Sequence, residues 1–440
     1  MPASPSGDTR LRVAFILAFV FCTLGACLLS DSVGPRGQAA LGVVGFLSLA
    51  AVFSSHLGHV NWRLVATGLS IQFLLGAAIL QSDAVREGFE AVGRGVGAFV
   101  KFANKGGEFV FGKLANFGDS GFIFAVQALP AVIFVSAVFT MLYHLRILQA
   151  VVWVFARAMI LVLGKKAVSG AEALSATANV FLGQTEAPLI VKPYVNRMTS
   201  AELMTLMVGG MAHISGGMMV VYISMGADPV AILATSVMAA PASLYIAKLM
   251  LPEMAYPETR GTVKVSSEKQ YANVVDAAAG GASDGMKLVI NIVAMLIAFI
   301  AIAAMFNYLL AEMNPAWSLE AFFGKVFYPV SMMMGVSPEE SSRVGELLGK
   351  KLVLNEFVAY KDLTDHYKPG MENGLSARSY ALTTFALTGF ANFSSIGIQL
   401  GGIGAMAPDK RKDLARLGMK ALLGGFLATL INASIAGILR

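Results

Sequence analysis

Gly349-Lys350-Lys351-Leu352-Val353-Leu354-Asn355-Glu356-Phe357-Val358-Ala359-Tyr360 sets two lysines, an asparagine and a glutamate among residues that otherwise suit a hydrocarbon interior. A stretch of the same character, Gly183-Gln184-Thr185-Glu186-Ala187-Pro188-Leu189, lies inside residues 167–197, which also carry Glu172 and Asn179. Each is too polar to span a bilayer against lipid and too apolar for a free loop. Irregular backbone at membrane depth is tolerated only where protein buries it or where it lines a cavity. Both regions, 167–197 and 318–360, are therefore read as re-entrant hairpins.

The rest of the chain makes these stretches stand out. Of 440 residues, 56% are apolar and 14% charged, where a soluble domain has about 25% charged. The net charge of +6 comes from basic residues set singly between apolar runs, so no stripe exists to grip a nucleic acid. Cys22 and Cys27 share the first apolar run, which excludes a disulfide framework and a structural zinc site. About 20 apolar residues at ~1.5 Å each cross ~30 Å of hydrocarbon. Runs near 11–30, 39–55, 64–80, 121–143, 201–223, 229–251, 287–310, 379–400 and 414–438 meet that length. The expected fold is an all-α polytopic membrane protein of about nine transmembrane helices plus the two re-entrant helical hairpins. Residues 84–118 interleave Arg86, Glu90, Arg94, Lys101 and Lys105 with Phe89, Val92, Val96, Phe99, Val100 and Phe109, the pattern of interfacial amphipathic helices. Residues 146–163 behave similarly.

Positive charge orients the spans. With Arg10 and Arg12 inside, the cytoplasmic side collects His56–Arg63, Arg146, Arg157, Lys165, Lys166, Lys192, Arg197, loop 252–284 and Lys410–Arg416. The N-terminus is thus expected in the cytoplasm and the C-terminus outside, in a multi-pass plasma (inner) membrane protein. Leu24-Gly25-Ala26-Cys27 also fits a lipoprotein signal, but an ordinary first helix is the expectation.

Two similar blocks emerge. Hairpin 167–197 precedes spans 201–223 and 229–251, and hairpin 318–360 precedes spans 379–400 and 414–438; one opens inward and the other outward. Inverted repeats of this kind place a site at mid-membrane, on the ends of discontinuous helices. The first span of each block is interrupted, at His213-Ile214-Ser215-Gly216-Gly217 and at Gly389-Phe390-Ala391-Asn392-Phe393-Ser394-Ser395-Ile396-Gly397. The domains expected are an extra N-terminal helix (1–38), scaffold helices (39–166), a first transport repeat (167–251), a loop with a scaffold helix (252–317) and a second transport repeat (318–440).

Ionisable residues inside a membrane cost at least ~2.5–3.5 kcal/mol on insertion scales and mark functional sites. Glu186 and Glu356 are the foremost. The plainer alternatives are a helix-capping role for Glu186 and an ion pair with Lys351 or Lys350 for Glu356. Asn392 and Ser395, three apart, share a helical face.

The two quoted stretches and the 389–397 run resemble the concentrative nucleoside transporters, whose signature is Gly-x-Lys-x-x-x-Asn-Glu-Phe-Val-Ala. Asn61-Trp62-Arg63 with Gln72-Phe73, Leu129-Pro130 and Pro252-Glu253 agree, so the likeness runs over roughly 40–438. The resemblance implies that Gln184, Thr185 and Glu186 meet the nucleobase, that Glu356, Asn392 and Ser395 hold the ribose, and that Phe390 lines the pocket, with Met218 near the base. It implies a coupling sodium on Asn179 and the carbonyls of Leu182 and Ile214. His213 stands where the family has a serine ligand. An imidazole suits sodium poorly, so Ser215 or a carbonyl substitutes, or the ion is a proton. The expected function is cation-coupled uptake of nucleosides such as uridine by alternating access, in a homotrimer, with no enzymatic cofactor. A passive channel and an intramembrane hydrolase are the alternatives; no His-Glu-x-x-His or Gly-x-Ser-x-Gly supports the latter.

Overall fold

The computed structural model describes residues 5–115, 123–127, 129–262 and 271–440. Its first helices, α1 (Pro5–Leu28), α2 (Ser30–Val52) and α3 (Trp62–Gln81), lead into α4 (Asp83–Phe111). Residues 84–111 thus form one 29-residue helix with Asp83 in place of several short ones; the side chains of Val96, Phe99 and Val100 lie outside the described residues. Helices α5 (Leu129–His144) and α6 (Ile147–Leu163) follow, with a 75° bend between them.

The first repeat then reads α7 (Gly170–Ala178), a break, two short turns α8 (Ala187–Ile190) and α9 (Lys192–Val195), α10 (Ser200–Ala212), a second break, α11 (Gly216–Ser224) and α12 (Pro229–Met250). After α13 (Val274–Met313), the second repeat gives α14 (Leu319–Met333), α15 (Pro338–Val353), a break, α16 (Glu356–His366), α17 (Ala377–Leu387), a break, α18 (Phe393–Met406) and α19 (Arg411–Leu439). The element order matches from α6 to α12 and from α14 to α19.

This comparison moves a boundary. The arms of the second hairpin are 338–353 and 356–366, not 318–360, and α14 takes the place that α6 has in the first repeat. The turn at Gly335, with φ of 85°, and Pro338 at the start of α15 separate α14 from the hairpin. Loop 252–284 is also shorter than expected. Asn273 accepts from the Asp276 N–H at 2.9 Å and starts a 40-residue helix, about 60 Å long. Within it Gly281 and Gly285 abut α5. A Cβ at Gly281 would lie 2.7 Å from the Ser136 carbonyl oxygen, and one at Gly285 would lie 2.8 Å from Ile133 Cα. Small residues four apart let two backbones touch, which is how membrane helices pair without a hydrophobic driving force.

Among the described residues, six helical segments are each long and apolar enough to cross a bilayer, one of them the broken pair Ser200–Ser224. The expected span 379–400 is instead two short helices, α17 and α18. The interior belongs to the repeats: 89% of the apolar window in α12 is buried, against 17% in α1. Gln72 of α3 ties in the remainder. Its amide nitrogen donates to Asn432 Oδ1 at 2.6 Å and its oxygen accepts from the Tyr245 hydroxyl at 2.7 Å, fastening α3 to α12 and α19.

Candidate functional site

Each break is built by the residue that follows it. Ser215 accepts the Met218 N–H, Asn355 the Val358 N–H and Asn392 the Ser395 N–H, so α11, α16 and α18 each begin on an N-cap. Asn392 therefore does not share a helical face with Ser395; it caps the helix, and its side chain accepts the Ser395 backbone N–H. The breaks of the two repeats cross. The Phe390 N–H donates to the His213 carbonyl at 3.1 Å. Gly389, at φ of 136°, lets this happen, because a Cβ there would lie 3.0 Å from the carbonyl oxygens of both Met211 and Ala212.

One cavity lies against this crossing. Its lining includes Gln184, Thr185 and Glu186 from the first hairpin, Met218, Glu356 from the second hairpin, and Phe390, Asn392 and Ser395. All eight residues expected to meet a nucleoside are thus brought together. Gln184 Nε2 donates to Ser395 Oγ at 3.1 Å, joining the first hairpin to α18. Asn392 Nδ2 donates to Glu356 Oε2 at 2.7 Å, joining α18 to the second hairpin.

The plainer readings of both glutamates lose support. Lys351 turns from Glu356 to donate to the Ala386 carbonyl at 2.7 Å and to Thr429 Oγ1 at 3.0 Å, while Lys350 pairs with Glu346 and Asp362 at 2.6 Å each. Glu186 occupies the cap position of α8 but its side chain makes no capping hydrogen bond.

Four buried acceptor atoms without a partner belong to this region: Asn179 Oδ1, Gln184 Oε1, Glu186 Oε2 and Gln399 Oε1. An unmet buried polar group costs about 1–3 kcal/mol, so such a set asks for donors or a cation. The carbonyls of Leu182 and Ile214, both in non-helical backbone, also accept no hydrogen bond among the described residues. The Gly216 N–H donates to the Phe181 carbonyl at 3.1 Å, which seats the 213–215 break beside the 179–182 turn. Asn179 Oδ1 and these two carbonyls are oxygens of the kind a hard cation prefers. The His213 ring does not join them. It lies between the carbonyls of Gly209 and Ser236, with Nδ1 bonded to Gly209 at 2.8 Å, in the contact between α10 and α12.

Two residues escaped the sequence reading. Tyr222 donates its hydroxyl to Glu356 Oε1 at 3.0 Å and stacks on Tyr360 at 4.2 Å. The only signal was a tyrosine inside an apolar run, whose buried hydroxyl must find a partner. Gln399 donates to the Met207 carbonyl at 3.0 Å.

Known proteins share this arrangement. The profile for the Na+ dependent nucleoside transporter C-terminus matches residues 231–437, that for its N-terminus 41–114, and one for nucleoside recognition (Gate) 125–229. An uncharacterized transporter of Haemophilus influenzae is 42% identical over 409 residues, 91% of this chain and 97% of its own. Human sodium/nucleoside cotransporter 1 is 37% identical over 456 residues, 99% of this chain and 69% of its own. CNTnw in an inward-facing substrate-bound state superposes with a TM-score of 0.87 at 37% identity, over 91% of this chain and 97% of CNTnw. An outward-facing form of CNTnw superposes equally well, with a TM-score of 0.87 at 36% identity, over 92% of this chain and 98% of CNTnw.

Proposed function

The chain belongs to the sodium-dependent, concentrative nucleoside transporter family, and on that premise we propose which of its residues hold each solute. It is a multi-pass membrane transporter and not an enzyme; nucleosides cross with sodium by alternating access. Gln184, Thr185 and Glu186 take the nucleobase, Glu356, Asn392 and Ser395 take the ribose, and Phe390 and Met218 flank the ligand. The observation that carries this is the single cavity lined by both hairpin tips and the start of α18, with unpartnered acceptors of Gln184 and Glu186 beside it. A nucleoside brings hydroxyl and amine donors to such acceptors. Sodium sits on Asn179 Oδ1 and the carbonyls of Leu182 and Ile214, with the Ser215 hydroxyl in place of the His213 ring.

The moving block comprises the two repeats. Because the Gln72–Tyr245–Asn432 contact fastens α3 to α12 and α19, α3 moves with them, and the frame reduces to the α5–α13 pair. This departs from a scaffold spanning 39–166. Uridine as a substrate, a homotrimer, and an inner membrane with the N-terminus in the cytoplasm complete the proposal; basic residues at each cytoplasmic return support the orientation. The site assignment is tested by competition binding of nucleosides to the purified protein in sodium and in choline. Binding that requires sodium and weakens in Gln184→Ala and Asn392→Ala supports it; unchanged affinity in both variants contradicts it.

A further inference from the structure

Glu356 is held in place by side chains of both repeats. A carboxylate offers about four lone-pair directions. Tyr222 of α11 takes one on Oε1 and Asn392 of α18 takes one on Oε2, leaving each oxygen a further direction, and Glu356 lines the cavity. Tyr222 is not among the cavity's lining residues, so it acts on the carboxylate and not on the solute. We propose that Tyr222 is a positioning residue that sets the Glu356 carboxylate to accept both hydroxyls of a ribose 2′,3′-diol, and so makes the site select ribonucleosides over dideoxynucleosides.

The support for Tyr222 is itself rigid. Its side chain is fully buried, its ring stacks on Tyr360 with an interplanar angle of 19°, and the Tyr360 hydroxyl is 2.8 Å from the Thr384 carbonyl and 2.6 Å from Thr388 Oγ1. The path from Thr388 at the α17 break through Tyr360, Tyr222 and Glu356 to Asn392 thus begins and ends on the same interrupted span. A carboxylate with one free rotor could meet one hydroxyl in many poses; fixed at both oxygens, it presents two acceptors in one orientation.

The role of Tyr222 rests on Glu356 holding the ribose, and the test separates the two. Uridine, adenosine and their 2′,3′-dideoxy forms compete for binding to the full-length protein at saturating sodium. In the unaltered protein each dideoxy form binds at least about tenfold more weakly than its ribonucleoside. Tyr222→Phe keeps the ring, its stacking and its volume, yet lowers that ratio by about tenfold through weaker ribonucleoside binding. Tyr360→Phe keeps the stacked ring that supports Tyr222 and loses only an outer hydrogen bond, so it lowers the ratio by less than Tyr222→Phe does. Equal binding of ribo and dideoxy forms to the unaltered protein, an unchanged ratio in Tyr222→Phe, an equal loss for all four compounds, or the same fall in Tyr360→Phe overturns the role of Tyr222. If Glu356→Gln keeps the ratio, the ribose assignment itself fails; if Glu356→Gln abolishes it while Tyr222→Phe keeps it, only Tyr222 is misassigned.

Discussion

Replacing Glu356 by glutamine changes no volume and removes one acceptor. In the structure Oε1 accepts from Tyr222 and Oε2 from Asn392. A glutamine can keep its carbonyl oxygen under one of these donors, but its NH2 then faces the other. If the NH2 faces Asn392, two donors meet, and Asn392 cannot turn its amide over, because Oδ1 already accepts from the Ser395 N–H at 2.9 Å and the Ser394 hydroxyl at 2.6 Å. Turning it would strip the N-cap from α18, at about 1 kcal/mol. If the NH2 faces Tyr222, the phenol loses its acceptor in a fully buried position. In either pose the ribose loses a charged hydrogen-bond partner worth about 1.5–3 kcal/mol. Uridine affinity should therefore fall roughly 10- to 150-fold, and the unliganded protein should melt at a lower temperature. Isothermal titration with uridine in sodium, with thermal unfolding alongside, measures both. An affinity within about threefold of the unaltered protein, in a variant that still folds, would refute the placement of ribose on Glu356.

Asn179→Ala removes the amide oxygen from the proposed sodium site without touching the nucleoside cavity. The sodium concentration for half-maximal uridine uptake should rise by about tenfold or more, while uridine affinity at saturating sodium holds; an unchanged sodium dependence removes Asn179 from the site. Gln72→Leu leaves the Tyr245 hydroxyl and the Asn432 amide without their Gln72 partner in apolar surroundings, a loss of about 2–6 kcal/mol at about 1–3 kcal/mol per group. Thermal unfolding should show the drop, and Gln72→Leu combined with Tyr245→Phe and Asn432→Leu should recover most of it.

How much of this was legible from sequence depended on whether the signal was local. The hairpins, both interrupted spans and all eight residues around the cavity were visible, because a polar residue in an apolar run is conspicuous wherever it lies. The polar break marked Asn392 correctly, but the helical face expected to join it to Ser395 does not exist, because Asn392 is the N-cap of α18. Residues 274–284 looked like loop because Gly280, Gly281, Ser283 and Asp284 weaken a helix, yet Gly281, with Gly285 one turn on, is what allows α13 to touch α5. Tyr222 was invisible since its partner lies 134 residues away in the other repeat. The His213 ring was unreadable for a similar reason, because the carbonyl beside its unpartnered nitrogen belongs to Ser236 on α12.

The central claim is that the crossed breaks bind a nucleoside and a cation together, so that one gradient drives the other. Proteoliposomes containing the purified protein, loaded without sodium and diluted into sodium with labelled uridine, test it most directly when an imposed pH gradient is run as a separate arm. The account predicts that internal uridine transiently exceeds the external concentration under the sodium gradient, and that the excess vanishes when the gradient is collapsed. Uridine that only equilibrates, with or without sodium, would contradict it.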